Sequence, residues 1–137
     1  MARGFYVRND GALRFADWIA DGVKVIETRN RQTLDKLVAT SQCDEPVYII
    51  RTQSGKPATV IGRCTLIGPY WCGAERFRSE PLRQAHRVPA GSKYDARPGS
   101  GKWLYHIWDV ERIEPFELPA DAVRHGRVWA EFNLEEA

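Results

Sequence analysis

Cysteine is scarce in this sequence, and patterns that would hold a metal ion are missing. The 137 residues include three cysteines, Cys43, Cys64 and Cys72, and none of them belongs to a C-x-x-C pair. An odd number of cysteines without such a pair indicates neither a disulfide framework nor a zinc knuckle. The three histidines have no metal-ligand spacing either. We therefore predict reduced, partly buried thiols and neither a metal nor a cofactor.

Long apolar runs and the common phosphate-loop motifs are also missing. The apolar runs, such as 60–67, are interrupted well short of the roughly 18 residues that span a bilayer. The first ten residues lack the apolar middle of a signal peptide. There is no G-x-x-x-x-G-K-[ST], no G-x-G-x-x-G and no serine elbow, which argues against ATP, dinucleotide and α/β-hydrolase sites. These absences predict a cytoplasmic protein without membrane contact.

Charge is nearly balanced over the whole chain but unevenly distributed along it. The net charge is +2, yet residues 51–102 carry ten basic and three acidic groups, and residues 103–137 carry three basic and eight acidic groups. This polarity predicts a basic face for a polyanion and an acidic C-terminal extension over about 117–137. The alternative is that the two segments neutralise each other in the fold. Fifteen of the twenty basic residues are arginine, which favours phosphate contacts and stacking on bases.

The apolar pattern predicts a single domain over 1–137, without repeats or an interdomain linker. Apolar side chains within 12–19 recur at helical spacing, and Gly22 supplies a stop for that helix. The β-forming run 24–29 predicts a strand, and a short helix is expected over about 32–38. The first half of the chain therefore mixes helix and strand.

A β-hairpin is the firmest structural expectation. The apolar, β-branched runs 46–52 and 58–67 are separated by the turn sequence Ser-Gly-Lys-Pro at 54–57. Residues 74–87 have helical composition, interrupted at Pro81. Antiparallel strands followed by helical segments are typical of α+β domains.

The remaining segments complete the predicted fold. Residues 102–110 form an aromatic strand that 113–116 extends or pairs with, residues 127–132 add an edge strand, and 89–101 is a long surface loop. Pairing the edge strands of such a sheet removes an aggregation hazard. We therefore predict an α+β fold, a small, partly closed β-barrel of about five to six mostly antiparallel strands with two to three flanking helices.

The segment GVKVIETR places three charged residues in or beside a predicted strand. Charged groups are costly in a core strand, so Lys24, Glu27 and Arg29 are candidates for a site. On a regular strand Glu27 and Arg29 share one face, whereas Lys24 joins them only if it lies in a turn or bulge. A desolvated lysine beside a carboxylate would act as a base or nucleophile. The alternative is a surface strand with a solvated salt bridge.

Aromatic and basic residues form a second set of candidates. Bases stack on aromatic rings while arginine and lysine bind phosphates. Trp71, between Pro69 and Gly73 in an expected loop, is the best candidate for a ligand-facing ring, although a core tryptophan is the commoner case. Tyr94, in the long loop, could close over a ligand. The basic residues beside these aromatics include Arg63, Lys93 and Lys102.

The order of these segments resembles the ASCH domain family of the PUA-like superfamily. The resemblance rests on G-x-K-x-x-E-x-R at 22–29, VIGRCTLIGPYW at 60–71 and VERIEPF at 110–116, and it covers about 15–116. It implies a PUA-like β-barrel with a cleft beside the first helix, into which the motif residues Lys24, Glu27 and Arg29 point. Proteins of this superfamily bind RNA or read modified bases.

The same resemblance includes enzymes. One branch looks like an amidohydrolase that removes an acyl group from the exocyclic amine of cytidine, using a lysine, a threonine three residues later and a distant glutamate. Another branch is a ribonuclease. Here Glu27 stands where that amidohydrolase has its threonine, which argues against the acyl-cytidine chemistry.

Three functions therefore follow from the sequence. The first is the binding of RNA or a modified nucleotide base in a basic cleft. The residues predicted to bind it are Lys24, Arg29, Arg63, Trp71, Lys93, Tyr94 and Lys102. The second is a hydrolase acting on a modified nucleoside or RNA, with Lys24 and Glu27 as catalytic residues. The third is a protein-interaction adaptor whose acidic extension binds a basic partner.

Overall fold

The computed structural model describes residues 1–136 as seven strands, four short α-helices and one 3-10 helix. The strands are β1 (Ala2–Asn9), β2 (Ile26–Arg29), β3 (Val47–Gln53), β4 (Lys56–Gly73), β5 (Gly101–Glu117), β6 (Val123–His125) and β7 (Trp129–Phe132). The helices are α1 (Phe15–Ala20), α2 (Asp35–Gln42), α3 (Ala74–Phe77) and α4 (Glu80–His86), and the 3-10 helix is Leu134–Glu136.

All seven strands belong to one mixed sheet, in the order β2-β5-β4-β3-β1-β7-β6. Strands β1 and β3 are parallel, and every other neighbouring pair is antiparallel. The α+β class is therefore confirmed, with seven strands in place of the predicted five to six and four α-helices in place of two to three. Within residues 1–136 the edge strands β2 and β6 are not paired with each other, so the partly closed barrel is not confirmed.

Strand β1 was missed by the sequence pattern because it is covered on both sides. Residues 4–7 are all buried, so the segment shows no alternation of polar and apolar residues. Its N-terminal half pairs with β7 from Ala2 to Phe5, and it pairs with β3 along 3–9. The second half of β1 therefore has one edge free of strand pairing, and this edge faces the cleft described below.

The two faces of the sheet bury different cores. On one face, α1 and α2 pack against the sheet around Phe5, Ile19, Leu37 and Tyr105. On the other face a smaller cluster includes Tyr6, which lies among the side chains Tyr48, Ile50, Val60, Leu118, Ala130 and Phe132. A third cluster lies under α3 and α4 and includes Phe77, Val88 and Leu104. Burial of these side chains, at about 25 cal/mol per Å² of apolar surface, is the main stabilising term.

The predicted hairpin is confirmed. Strands β3 and β4 are antiparallel, and the turn between them uses Gly55 at a φ of 76°, a conformation that suits glycine. Strand β4 runs on to Gly73, so Trp71 lies in a strand and the loop predicted for it is wrong. A shift of register between Ile67 and Tyr70 accommodates Gly68-Pro69 without ending the strand.

The helices begin and end at other residues than the sequence pattern predicts. A turn closed by hydrogen bonds between Asp10 and Leu13 delays the start of α1 to Phe15. Pro81 lies in the first turn of α4, where proline is tolerated, and the helical segment is interrupted before it, at Arg78 and Ser79.

The C-terminal segment is part of the sheet. Strand β7 lies between β1 and β6, so the predicted edge strand is an inner strand and β6 forms the edge. The last residue of the predicted extension, Ala137, lies outside the described residues. None of the helices in the described part of the chain is long and apolar enough to cross a membrane.

Candidate functional site

A cleft of about 660 Å³ opens between β1 and β2, two strands that are not neighbours in the sheet. The side chain of Arg29 bridges them, because its Nη2 donates a hydrogen bond to the main-chain oxygen of Tyr6 at 2.8 Å. Helix α1, the loop between α4 and β5, and the β6–β7 turn complete the walls. The cleft therefore lies where the curled sheet remains open.

Lys24 enters the cleft because the chain before β2 is not a regular strand. Gly22 has a φ of 76°, and the amides of Val23 and Lys24 both donate to the carbonyl oxygen of Trp18. Strand β2 begins only at Ile26, so strand alternation does not apply to Lys24. The lysine consequently lies beside Glu27. Strand alternation alone left open whether Lys24 shares a face with Glu27 and Arg29, and the structure places them together.

The Lys24 ammonium is enclosed by the fold. The side chain is 1% exposed, and Nζ donates to the main-chain oxygen of His86. Nζ also lies 3.7 Å from Glu27 Oε1 and 5.1 Å from the centre of the Phe15 ring. Burial lowers the pKa of Lys24 from 10.5 to about 8, although the Glu27 carboxylate opposes this change, and Arg29 lowers the pKa further.

Both carboxylate oxygens of Glu27 already have partners. Oε1 accepts a hydrogen bond from the amide of Thr28 at 3.0 Å, and Oε2 accepts one from Arg29 Nη2 at 3.0 Å. Glu27 therefore holds the two cations, Lys24 and Arg29, on either side of it. A carboxylate between two cations compensates their charges and orients the arginine fork.

The loop between α4 and β5 is an ordered wall of the cleft. Tyr94 packs edge-on against Phe15 with ring centres 5.2 Å apart, and its hydroxyl donates to Asp10 Oδ2 at 2.7 Å. The Lys93 ammonium lies 3.1 Å from the same oxygen. Hydrogen bonds from Tyr94 and Lys93 lower the pKa of Asp10. Two of the predicted ligand residues therefore attach this loop to the turn that follows β1.

Asp95 holds the shape of that loop. Its oxygens accept two hydrogen bonds from Arg83 at 3.1 Å and one each from the amides of Gly91 and Ala96 at 2.9 Å. Burial opposes ionisation, but the Arg83 and backbone hydrogen bonds together lower the pKa of Asp95. A carboxylate with so many donors acts as a structural anchor.

Lys102 lies at the other side of the cleft, at the start of β5. Its Nζ donates to the side-chain oxygen of Asn30. Burial lowers the pKa of Lys102, and the charge of Asp95 opposes this. Asn30 and Lys102 together place an amide and an ammonium next to the end of β2.

The lining of the cleft is strongly cationic. Its seven basic side chains are Arg8, Lys24, Arg29, Lys93, Lys102, Arg124 and Arg127, whereas Glu27 is the one acidic residue in the lining that the structure describes. Such a concentration of positive charge favours anionic ligands. No group of three or more potential metal ligands occurs among the described residues.

Three of these arginines were missed by sequence reasoning. Arg8 lies on the unpredicted strand β1, and Arg124 and Arg127 belong to the segment that the sequence marks as acidic. Arg124 and Arg127 come near β1 because β6 pairs with β7 and β7 pairs with β1. The signal in the sequence was the presence of two arginines within an acidic segment. The net negative charge of that segment hides them when charge is summed over it.

Two predicted ligand residues lie elsewhere. Arg63 forms an exposed ion pair with Glu111 on β5, beside a second cavity. Trp71 packs against Trp103 with ring centres 5.2 Å apart and does not line the cleft. Three exposed aromatic side chains on these strands are called the β4–β5 aromatics below: Tyr70, Trp71 and Trp108.

Comparisons with known proteins support the fold. No protein-family model matches the chain, and no curated protein matches it. Among solved structures, the ASCH protein of Zymomonas mobilis matches with a TM-score of 0.67 and 20% identity over 97% of this chain and 90% of that one. Two of its variants match similarly, a serine-to-alanine variant (TM-score 0.67, 19% identity, 97% and 90% covered) and a tyrosine-to-phenylalanine variant (0.65, 21%, 97% and 92%). The chain therefore has an ASCH domain fold, as the resemblance predicts.

Proposed function

We propose that the cleft between β1 and β2 binds RNA or a nucleotide. The observation that carries this proposal is the charge of the lining, in which seven basic side chains surround one carboxylate. Nucleic-acid affinity depends largely on neutralising phosphates with arginine and lysine. The volume of about 660 Å³ is in the range of about 300–1,000 Å³ that is usual for small-molecule sites.

The two ends of the cleft suit different parts of a nucleotide. Phe15 and Tyr94 provide aromatic surface next to Lys24, a setting in which a base can make stacking and polar contacts. Arg29, whose fork is oriented by Glu27, and Lys102, near Asn30, supply charge for a phosphate or a base edge. The ASCH fold agrees with this proposal, since the resemblance implies RNA or modified-base binding.

Fluorescence anisotropy with a labelled single-stranded RNA would test the proposal. If three phosphates are neutralised, the binding constant should fall roughly 20-fold between 50 and 200 mM salt. The Arg29→Ala variant should bind more weakly, whereas Arg63→Ala, outside the cleft, should bind like the wild type. Binding that is indifferent both to salt and to Arg29→Ala would exclude the cleft as an RNA site.

A second function is favoured by the state of Lys24. A fully buried lysine whose pKa is lowered to about 8, with a carboxylate 3.7 Å away, has the environment of a catalytic base or nucleophile. We propose as the alternative that the cleft hydrolyses a modified nucleoside or RNA, with Lys24 and Glu27 as the reacting pair.

Chromatography of the protein's incubations with acylated cytidines and with RNA would test this alternative. Product formation should disappear in Lys24→Met, which keeps the side-chain volume without the amine. It should persist in Lys56→Ala, which replaces an exposed lysine at the start of β4. The rate should rise with pH to a plateau above about 8, because the unprotonated amine is the reactive form. Equal product formation by Lys24→Met would exclude the role of Lys24.

A further inference from the structure

The lining of the cleft contains two chemically different groups of residues. One group comes from α1, β2 and the loop before β5 and combines the rings Phe15 and Tyr94 with the Lys24–Glu27 pair. The other group comes from β1 and the β6–β7 turn and is called the arginine lobe: Tyr6, Arg8, Arg124 and Arg127. Arg29 lies between them, since it contacts both Glu27 and the Tyr6 main chain.

Tyr6 carries a buried hydroxyl without a partner. The residue is 9% exposed, and its hydroxyl has no hydrogen bond to any residue that the structure describes. Its main-chain groups are satisfied, because its amide donates to Val128 and its carbonyl oxygen accepts from Arg29. Buried hydroxyls nearly always have partners, and an orphaned one on a residue that lines a cavity indicates a missing acceptor.

The hydroxyl is kept in its protonated, donating form. Burial raises the pKa of Tyr6, and the positive charge of Arg124 only partly opposes this. Tyr6 and Arg124 also line the same cleft, so an acceptor that enters it meets both groups. Oxygen atoms of an anion fit both neighbours at once.

The arginines of the arginine lobe lack carboxylate partners. Among the side chains that the structure describes, Arg8, Arg124 and Arg127 form no ion pair and no hydrogen bond. Other arginines of the protein are neutralised, as Arg112 is by Asp17 and Asp21. Three guanidinium groups without an ion-pair partner in one lobe create a local excess of positive charge.

We propose that the arginine lobe is a phosphate subsite, in which the Tyr6 hydroxyl and Arg124 hold phosphate oxygens with support from Arg8 and Arg127. This inference rests on the proposed binding function and names its ligand class. The ligand is a phosphorylated nucleotide whose base lies against the Phe15–Tyr94 pair, so a free nucleoside leaves the arginine lobe empty. The phosphate belongs either to a mononucleotide or to the backbone of an RNA strand.

Isothermal titration calorimetry can compare the four ribonucleosides with their 5′- and 3′-monophosphates and with a short oligoribonucleotide that has no terminal phosphate. The wild type should bind the phosphorylated ligands roughly tenfold or more tightly than the nucleosides, as expected for charge-assisted hydrogen bonds. A preference for the monophosphates assigns the subsite to a terminal phosphate. Equal or tighter binding of the oligoribonucleotide assigns it to a backbone phosphate.

Two variants test the assignment to the arginine lobe. Tyr6→Phe removes one oxygen and Arg124→Ala removes an exposed guanidinium, and both should weaken binding of phosphorylated ligands roughly tenfold without changing nucleoside binding. Arg63→Ala is the matched control and should bind every ligand like the wild type. Because the Tyr6 hydroxyl has no partner, the thermal midpoint of Tyr6→Phe should equal or exceed that of the wild type.

The possible failures are distinguishable. The phosphate subsite is overturned if the wild type binds nucleosides and nucleotides equally well. It is also overturned if Tyr6→Phe and Arg124→Ala weaken the binding of nucleosides as much as that of nucleotides. In either case the proposed binding function still stands. If no nucleoside, nucleotide or RNA binds, the proposed function itself fails. In that case, inorganic phosphate should still raise the thermal midpoint of the wild type but not that of Arg124→Ala if the arginine lobe is an anion site. If phosphate does not stabilise the wild type, the anion site is overturned too.

Discussion

The cleft between β1 and β2 and the outer surface of β4 and β5 present opposite kinds of candidate site. In the cleft, Lys24 is 1% exposed, and its charge is compensated by a carboxylate within the same cavity. On β4 and β5, Trp71 and Trp108 are 54% and 57% exposed. Both regions carry residues that the sequence marks for ligand binding, but the β4–β5 aromatics do not line the cleft or the second cavity beside Arg63.

The comparison shows how a binding site differs from a surface that merely carries residue types common in binding sites. Burying a lysine costs free energy that a solvated surface does not require, so the fold retains Lys24 in the cleft against its own stability. Exposed aromatic rings cost far less and occur on many protein surfaces. We therefore propose the cleft, and not the surface of β4 and β5, as the place where a ligand binds.

The largest expected effect is the pH dependence of stability that Lys24 causes. Its pKa is about 8 in the folded protein and 10.5 in the unfolded chain, so the unfolded chain binds more protons between these values. The free energy of unfolding should therefore rise with pH over this window, by about 3 kcal/mol at 1.36 kcal/mol per pKa unit. Below pH 8 both states are protonated and this contribution is constant.

Urea unfolding of the wild type and of Lys24→Met at pH values from 7 to 11 would measure that effect. The difference between the two proteins isolates Lys24 from the tyrosines and cysteines that titrate in the same range. It should change by about 3 kcal/mol in favour of the wild type as the pH rises. A difference independent of pH would mean that the Lys24 ammonium is solvated and not enclosed by the fold.

Arg29 should matter more for binding than any residue of β4 or β5. The Arg29→Ala variant removes the fork that Glu27 orients, and RNA affinity should fall roughly ten- to a hundredfold, the range for hydrogen bonds to charged groups. Arg29→Lys keeps the charge but not the fork and should recover only part of the affinity. Anisotropy titrations measure both, and full affinity in Arg29→Ala would remove Arg29 from the site.

Asp95 tests whether the loop wall is a structural part of the cleft. Asp95→Asn weakens the contacts to Arg83 and to the Gly91 amide and should lower the free energy of unfolding by about 2 kcal/mol. RNA affinity should fall too, because Tyr94 loses its fixed position. The exposed Asp121→Asn should change stability by less than about 0.5 kcal/mol. Equal stabilities for the two variants would contradict the anchoring role of Asp95.

The smallest effect is expected for the β4–β5 aromatics. Stacking of a base on an aromatic ring contributes about 1–3 kcal/mol to the binding free energy. Replacing a ring that contacts no ligand should therefore leave the binding free energy unchanged. Trp71→Ala should therefore change RNA affinity by less than about twofold, as should Trp108→Ala. A loss of tenfold or more would transfer the stacking role from the cleft to β4 and β5.

Sequence patterns anticipated the parts of the molecule that depend on local order. The β3–β4 hairpin follows from two apolar runs and a turn, and the charged triad of Lys24, Glu27 and Arg29 follows from one short segment. The α+β class and the ASCH resemblance can be inferred in the same way, because both depend on the order of the predicted segments along the chain. Each of these inferences needs only residues close in sequence.

Other parts depend on contacts that a linear pattern does not contain. The position of Lys24 is decided by hydrogen bonds to Trp18 and by the conformation of Gly22, which take the residue out of strand alternation. Arg124 reaches the cleft only because β7 pairs with β1 at the opposite end of the chain. Trp71 lies in a strand and not in the predicted loop, because a bulge in the pairing of β4 with β5 accommodates Gly68-Pro69.

An NMR titration of the ¹⁵N-labelled protein with a short single-stranded RNA tests the central claim most directly. The five tryptophan indoles and the cleft amides report separately on the two regions. The amides of Thr28, Asn30 and Gly126 should shift in proportion to RNA added, while the indole signals of Trp71 and Trp108 stay in place. Shifts confined to those two indoles, with the cleft amides unmoved, would contradict the assignment of the ligand to the cleft.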